Sequence, residues 1–277
     1  MKTLIIICVI TLLIVAFLPW FIYRQDNHLV VSEYEYSNAN IPQDFDGYKI
    51  VQLSDLHDKE FGEHQERLLS QINNIKPDAI FLTGDFATKK SVENTRILVE
   101  SLSGQYEMFF APGNHEVGCL KYDELKEIFL NNNVHTLEND IVTIDRGASS
   151  LHVIGLKDLD SYKSSESPVE EMDKALKDLT ADLDGVTCLL AHRPEYIDVY
   201  SNYNINLVFS GHAHGGQFIF PFIGSVYSPD QGLFPKLTQG QHERNGTTMI
   251  ISRGLGNLAP VPRLFNYPEI VVVTLRN

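Results

Sequence analysis

Five times along this chain a short apolar run ends in a turn that carries metal-ligand side chains, and that recurrence limits the folds open to it. KIVQLS (49–54) leads into Asp55-Leu56-His57, and AIFLT (79–83) leads into Gly84-Asp85. MFFAP (108–112) precedes Gly113-Asn114-His115-Glu116. VTCLL (186–190) precedes Ala191-His192-Arg193-Pro194, and LVFS (207–210) precedes Gly211-His212-Ala213-His214-Gly215-Gly216. Short apolar runs bounded by turn residues read as buried strands. Between and after the first three lie amphipathic stretches of helical period, EHQERLLSQINNI, SVENTRILVESLS and YDELKEIFLNN. Strands alternating with helices predict an α/β fold, in which ligands gather outside the carboxyl ends of the strands. Five of the ten histidines (57, 115, 192, 212, 214) lie in these turns, so the turns can converge on one site.

The rest of the chain extends this pattern. Further strands are expected near 141–145, 151–155, 186–191, 205–210, 247–252 and 269–275, with a helix over 168–180. A strand-rich second half predicts a second sheet packed against the first. His28 to Tyr36 alternates and reads as a strand at the start of the soluble body. No linker interrupts the chain after residue 47. Three parts are therefore expected: a leading apolar segment over 1–25, a linker with a leading strand over 26–47, and one catalytic domain over 48–277.

The leading segment is distinctive. Thr3 to Tyr23 carries no charge, and 21 helical residues span roughly 30 Å, the thickness of a bilayer core. It lacks the small-residue cleavage site of a signal peptide, and Pro19, Trp20 and Tyr23 resemble an interfacial belt. An uncleaved, single-pass membrane anchor is expected. Lys2 and the terminal amine on one flank, against Arg24 followed by Asp26 on the other, favour a cytoplasmic N-terminus and an extracytoplasmic body.

Charge narrows the partners. Lys plus Arg total 22 against 36 Asp plus Glu, a formal net charge of -14. So acidic a surface disfavours nucleic acid, while a phosphorylated substrate stays open because bound cations reverse the local field. Three cysteines, one of them in the apolar segment, make no disulfide framework or zinc motif. The oligomeric state is not readable.

Histidine nitrogen, carboxylate and one amide oxygen, without thiolate, suit Mn²⁺, Zn²⁺ or Fe. Seven candidate ligands are too many for one ion and suit two that share a carboxylate, the arrangement that clamps a phosphoryl displacement. In this order DxH, GD, GNHE, a lone His after a strand, and GHxH resemble the calcineurin-like metallophosphoesterase superfamily over roughly residues 48–277. The resemblance implies a four-layer α/β/β/α sandwich with two metals between the sheet edges. It implies Asp55, His57 and His214 on one metal, Asn114, His192 and His212 on the other, and Asp85 bridging them. It implies His115 as general acid or transition-state stabiliser. The apolar segment, the GHAHGGQ form and the tail SRGLG…PVPRLFNYPEI resemble the membrane-associated branch, some of whose members cleave lipid-linked pyrophosphates or other phosphodiesters.

Several residues stay open between roles. Glu116 reads either as a surface acid or as a group orienting His115. Arg253 and Arg263 are nominated as guanidinium forks for a phosphate, with a surface ion pair as the alternative. The segment 217–235 carries Phe218, Phe220, Phe222, Tyr227 and Phe234 among prolines and glycines. It reads either as a hairpin covering the second sheet or as an apolar loop that holds an acyl chain or leans on a membrane. The leading expectation is a membrane-anchored dimetal phosphohydrolase of a lipid or lipid-linked phosphodiester or pyrophosphate. The alternatives are a phosphoesterase of soluble nucleotides or sugar phosphates, and a non-catalytic, metal-dependent envelope-binding protein.

Overall fold

The computed structural model describes residues 2–163, 166–257 and 262–277. Pro260 and Val261 of the C-terminal tail motif lie outside the described residues. The first sheet is built from β1 (Val30–Ser37), β2 (Lys49–Leu53), β3 (Ala79–Thr83), β4 (Glu107–Ala111) and β5 (Val134–Thr136). The second takes β6 (Asp140–Arg146), β7 (Ser149–Gly155), β8 (Val186–Leu190) and β9 (Leu207–Ser210). Two small ribbons follow, β10 (Ile219–Phe220) with β11 (Gly224–Ser225), and β12 (Tyr227–Ser228) with β13 (Gly232–Leu233). β14 (Gly240–Arg244) and β15 (Thr247–Ile251) return to the second sheet, and β16 (Glu269–Arg276) completes the first.

The sheet orders are β1-β16-β2-β3-β4-β5 and β14-β15-β9-β8-β7-β6. β2, β3 and β4 are mutually parallel, and so are β7, β8, β9 and β15. β3 and β8 are buried at every position, as strands covered on both faces must be. Facing side chains fill the space between the sheets: Phe81 meets Phe109 and Phe209 edge-to-face, with ring centroids 5.5 and 5.0 Å apart. The outer face of the first sheet is covered by α2 (Glu66–Ile75), α3 (Glu93–Leu102) and α4 (Tyr122–Asn131), which bury Leu68, Leu98 and Phe129. α5 (Pro168–Thr180) and the short α6 (Ile197–Tyr200) cover the second with Met172, Leu176 and Ile197. The result is the α/β/β/α sandwich.

Two strands of the two six-stranded sheets escaped the pattern reading. β5 is three residues long, and β14 is an exposed edge of sequence GQHER with no apolar alternation. The helix expected over 63–75 begins at Glu66, because His64 and Gln65 stand in the left-handed region at φ 52° and 64°.

The N-terminal helix, α1 (Lys2–Asn27), is apolar on every side, and its most apolar stretch is unburied. It has the length and composition to cross a membrane. Its last turn is fastened to the body rather than joined by a slack linker. Gln25 is buried; it donates to the Tyr267 hydroxyl (3.3 Å) and accepts from Phe265 N (2.7 Å). Asp26 accepts from Arg263 N at 2.9 Å. The stretch 26–47 thus begins inside the helix, and β1 follows after Leu29 as an edge strand parallel to β16.

Candidate metal centre

All five turns leave carboxyl ends of β2, β3, β4, β8 and β9, and the two sheets bring those ends together. Asp55, His57 and His214 offer ligand atoms within 4.8 Å of one another, and so do Asp85, His192 and His212. The two groups share a boundary at Asp85, whose Oδ2 lies 3.1 Å from His192 Nε2 and 3.8 Å from His57 Nε2. His57 Nε2 and His214 Nε2 are 3.2 Å apart, and His214 Nε2 is 3.3 Å from Asp55 Oδ1. Asn114 and His115 line the same cavity as Asp85, His212 and His214. The backbone N–H of His115 donates to Asp85 Oδ1 at 2.9 Å, and its ring stands edge-on to His57 with centroids 5.0 Å apart.

The backbone is bent to achieve this. Asp55, His57, Asp85, His212 and His214 all stand in the left-handed region, with φ between 47° and 66°. Each such residue typically costs about 1–3 kcal/mol, tolerated where the surroundings hold it, and such outliers cluster at functional sites. The approach is also close. A Cβ on Gly211 would lie 1.9 Å from Ser54 Oγ and 2.3 Å from Asp55 Oδ2, so only glycine lets β9's turn meet β2's.

The donor set fits divalent cations. Among the described residues, His192 Nε2, Asn114 Oδ1 and His57 Nδ1 are buried without a hydrogen-bond partner, an expensive condition for polar atoms. His192 Nδ1 meets the Thr83 carbonyl at 2.7 Å, which makes Nδ1 the N–H and leaves Nε2 its lone pair. Burial lowers His57 to about 3 and His212 to about 4, and holds His214 well below the ordinary range. These rings are neutral at pH 7, the form that gives a lone pair to a metal. Burial would lower His192 too, but the Asp85 and Asp55 carboxylates outweigh it and raise it to about 10. Burial raises Asp55 to about 6 against the opposing charge of His192. Burial acts upward on Asp85 as well, yet His192 draws it well below the carboxylate range. Carboxylates buried this close together need positive charge between them, and two divalent ions would supply it in place of the His192 proton.

Glu116 is neither a surface acid nor a partner of the His115 ring. It is fully buried, and its carboxylate accepts from Asp85 N, Phe86 N and Gly113 N, each at 2.8 Å, and from Ala87 N at 3.0 Å. It stitches the turn after β3 to the turn after β4. Burial pushes its carboxyl up to about 7, and the Asp85 charge adds to that, against the backbone donors that favour the ionised form.

Arg253 and Arg263 do not face the cavity as phosphate forks would. Arg263 is fully buried, its Nη1 donating to Arg253 O (2.8 Å) and its Nη2 to Gly256 O (2.6 Å), with Nη2 also 3.3 Å from His214 Nδ1. Arg253 Nη2 is paired with Glu269 Oε1 at 2.9 Å. The cations that line the cavity are Lys163 and Arg193, which sequence reading passed over. Arg193 directly follows His192, and that adjacency was the available signal.

The cavity measures about 780 Å³. One wall is apolar, made by Phe218, Val226, Tyr227 and Pro229 of the segment after β9. That segment does not cover the second sheet. Phe222 stands fully exposed, with Phe234, Tyr227 and Ile223 more than half exposed. Phe265 bridges this aromatic surface to the N-terminal helix, its ring 6.3 Å from Phe220 and 5.9 Å from Phe21.

The chain is 28% identical over 261 residues to the metallophosphoesterase YkuE of Bacillus subtilis (strain 168), covering 92% of this chain and 88% of that protein. It is 24% identical over 297 residues to the UDP-2,3-diacylglucosamine pyrophosphatase LpxG of Chlamydia trachomatis, covering 85% and 87%. It is 29% identical over 259 residues to a transmembrane protein with metallophosphoesterase domain from Danio rerio, spanning 89% of this chain but 57% of that protein. The calcineurin-like phosphoesterase family model matches residues 48–216, a span that holds every strand-end turn described above. The chain therefore belongs to the calcineurin-like phosphoesterase family and is a metal-dependent phosphoester hydrolase.

Proposed function

We propose that this protein is a membrane-anchored dimetal phosphohydrolase that cleaves a phosphodiester or pyrophosphate bond in a lipid or lipid-linked substrate. One observation carries the reading. The His and Asp clusters floor a cavity whose apolar wall continues, through Phe220 and Phe265, to the exposed apolar helix. A polar phosphate and an apolar chain of one molecule would each find a matching surface there. The relative that acts on UDP-2,3-diacylglucosamine supports the same substrate class. The N-terminal helix is the anchor, with the body on the extracytoplasmic side.

Asp55, His57 and His214 are the ligands of one metal, Asn114, His192 and His212 those of the other, and Asp85 serves both. The donor set suits Mn²⁺ or Zn²⁺, with iron compatible; when bound, such ions acidify water and stabilise charge on phosphoryl oxygens. His115 lines the cavity without belonging to either cluster, so its imidazole is free to protonate the leaving oxygen.

Full-length protein in detergent should hydrolyse lipid phosphodiesters or lipid-linked pyrophosphates faster than nucleotides or sugar phosphates, with Mn²⁺ or Zn²⁺ present. Faster turnover of the soluble compounds would remove the lipid assignment. His115→Ala should keep both metals and lose about 10²–10⁴-fold in rate on an alkyl ester, with a smaller loss on a nitrophenyl ester. Equal losses on the two esters would exclude leaving-group protonation.

Phe220 and Phe222 test the apolar wall's extension. Because both rings are exposed, truncating them to Ala should leave the melting temperature within a few degrees. Burying one such ring against a chain is worth roughly 1.5–3 kcal/mol, so kcat/KM on the lipid should fall about tenfold or more per ring. A small soluble ester should be spared. Parallel losses on both substrates would place the rings outside lipid recognition.

A further inference from the structure

Asp230 stands at the tip of the β12–β13 ribbon, and its carboxylate meets a metal-site histidine. Its Oδ2 lies 2.9 Å from His212 Nε2 and accepts from Arg193 Nη1 at 2.5 Å. Arg193 is itself immobilised, with Nε on Asp158 (2.9 Å) and Nη2 on Asp160 (3.1 Å). The half-exposed carboxylate is therefore held by a side chain that cannot swing away. The turn beneath it is also fixed. Asp230 adopts φ 60° directly after Pro229, and the next residue, Gln231, is bound in both directions to the backbone of Leu237 (2.7 and 3.1 Å). A short polar residue tolerates that left-handed position, where a β-branched one would not.

His212 has little freedom except at its ring. Its backbone stands at φ 66° and its N–H donates to the Asp55 carboxylate at 3.1 and 3.2 Å. We propose that Asp230 is a positioning residue of the metal centre, fixing His212 with Nε2 as the N–H and leaving Nδ1 as the lone-pair nitrogen. A carboxylate on the far nitrogen of an imidazole sets the tautomer, fixes ring orientation and raises ligand basicity. The ribbon carrying Asp230 also carries Tyr227 and Pro229 of the cavity wall, so one short element shapes the pocket and orients the histidine. The proposal rests on the reading of His212 as a metal ligand.

The test uses full-length protein and the metals alone. In Asp230→Ala, the affinity for the more weakly held Mn²⁺ should drop about 10–100-fold. Asp230→Asn, which keeps an acceptor oxygen, should recover part of that loss. Both variants should still bind two ions at saturation, and melt within a few degrees of the parent because Arg193 keeps Asp158 and Asp160. In the Zn²⁺-loaded parent, two-bond ¹H–¹⁵N spectra should show His212 protonated at Nε2, and a weakened preference in Asp230→Ala. Unchanged affinity and tautomer in Asp230→Ala would overturn the proposal. Loss of one whole ion in both Asp230 variants would also overturn it, making Asp230 a ligand beside Glu195 and His212, whose ligand atoms lie within 4.8 Å. Native metal binding in His212→Ala would overturn the ligand reading itself, which separates the two failures.

Discussion

Asp85→Ala should reduce turnover by at least about 10⁴-fold and leave fewer than two ions bound. Its carboxylate approaches a histidine of each cluster, at 3.1 Å from His192 Nε2 and 3.8 Å from His57 Nε2. Removing it takes away negative charge that the two proposed ions would share and the acceptor that holds His115 N. Each 1.36 kcal/mol of lost transition-state stabilisation is tenfold in rate, and loss of metal catalysis removes several such units. Stability should fall as well. Asp85 Oδ2 lies 3.1 Å from His192 Nε2 and its carboxyl is drawn well below the ordinary carboxylate range, so the metal-free variant should melt below the metal-free parent. Metal analysis alongside single-turnover rates checks the pair of outcomes. Full two-ion loading in Asp85→Ala would overturn its place between the clusters.

Glu116→Ala should be the most destabilising single change at the site, by about 3–5 kcal/mol. Four backbone N–H groups from two different turns converge on its carboxylate, and all would lose their acceptor at once. A buried donor left unpaired costs about 1–3 kcal/mol, partly relieved if water enters the space. For a body of this size the loss corresponds to a fall on the order of 10 °C in melting temperature. Glu116→Gln keeps one acceptor oxygen and turns an amide NH2 toward the other donors, so it should fall between the parent and alanine. Activity should decline as well, because Asp85 and Asn114 lie on the two turns that Glu116 joins. Melting curves recorded with and without Mn²⁺ separate the effects. A Glu116→Ala protein that melts within two or three degrees of the parent would show that the turns hold themselves.

The two residues act on different levels of the same centre. Asp85 supplies charge where the ions would sit, while Glu116 supplies acceptors that keep its backbone in the strained left-handed form. The strain at five proposed ligands is sustained by such contacts, together with the Gly211 approach that admits no Cβ. Aromatic continuity from Phe21 through Phe265 to Phe220 then relates the centre to the N-terminal helix.

Much of this was legible in one dimension. Buried parallel strands are short apolar runs, and helices that cover them carry a helical period, so β2, β3, β4, β8 and β9 and their terminal turns could be read locally. The uncharged N-terminal run likewise determined an apolar helix by length alone. What stayed hidden depends on residues far apart. Edge strands such as β14 are half solvated and lack the apolar signature. A lone glutamate after GNH is indistinguishable from a surface acid until two turns aim their N–H groups at it. Arg263 looks like a phosphate ligand until the chain buries it under Asp26 and beside His214. Asp230 looks like an ordinary turn residue until a ribbon delivers it to His212. The sequence by itself determined the layers, the strand-end ligands and the chemistry they could support, because those follow from local burial pattern and residue type. Only the tertiary structure decided which polar groups are buried, which are paired and which face the cavity, because those depend on the packing of segments as much as 242 residues apart.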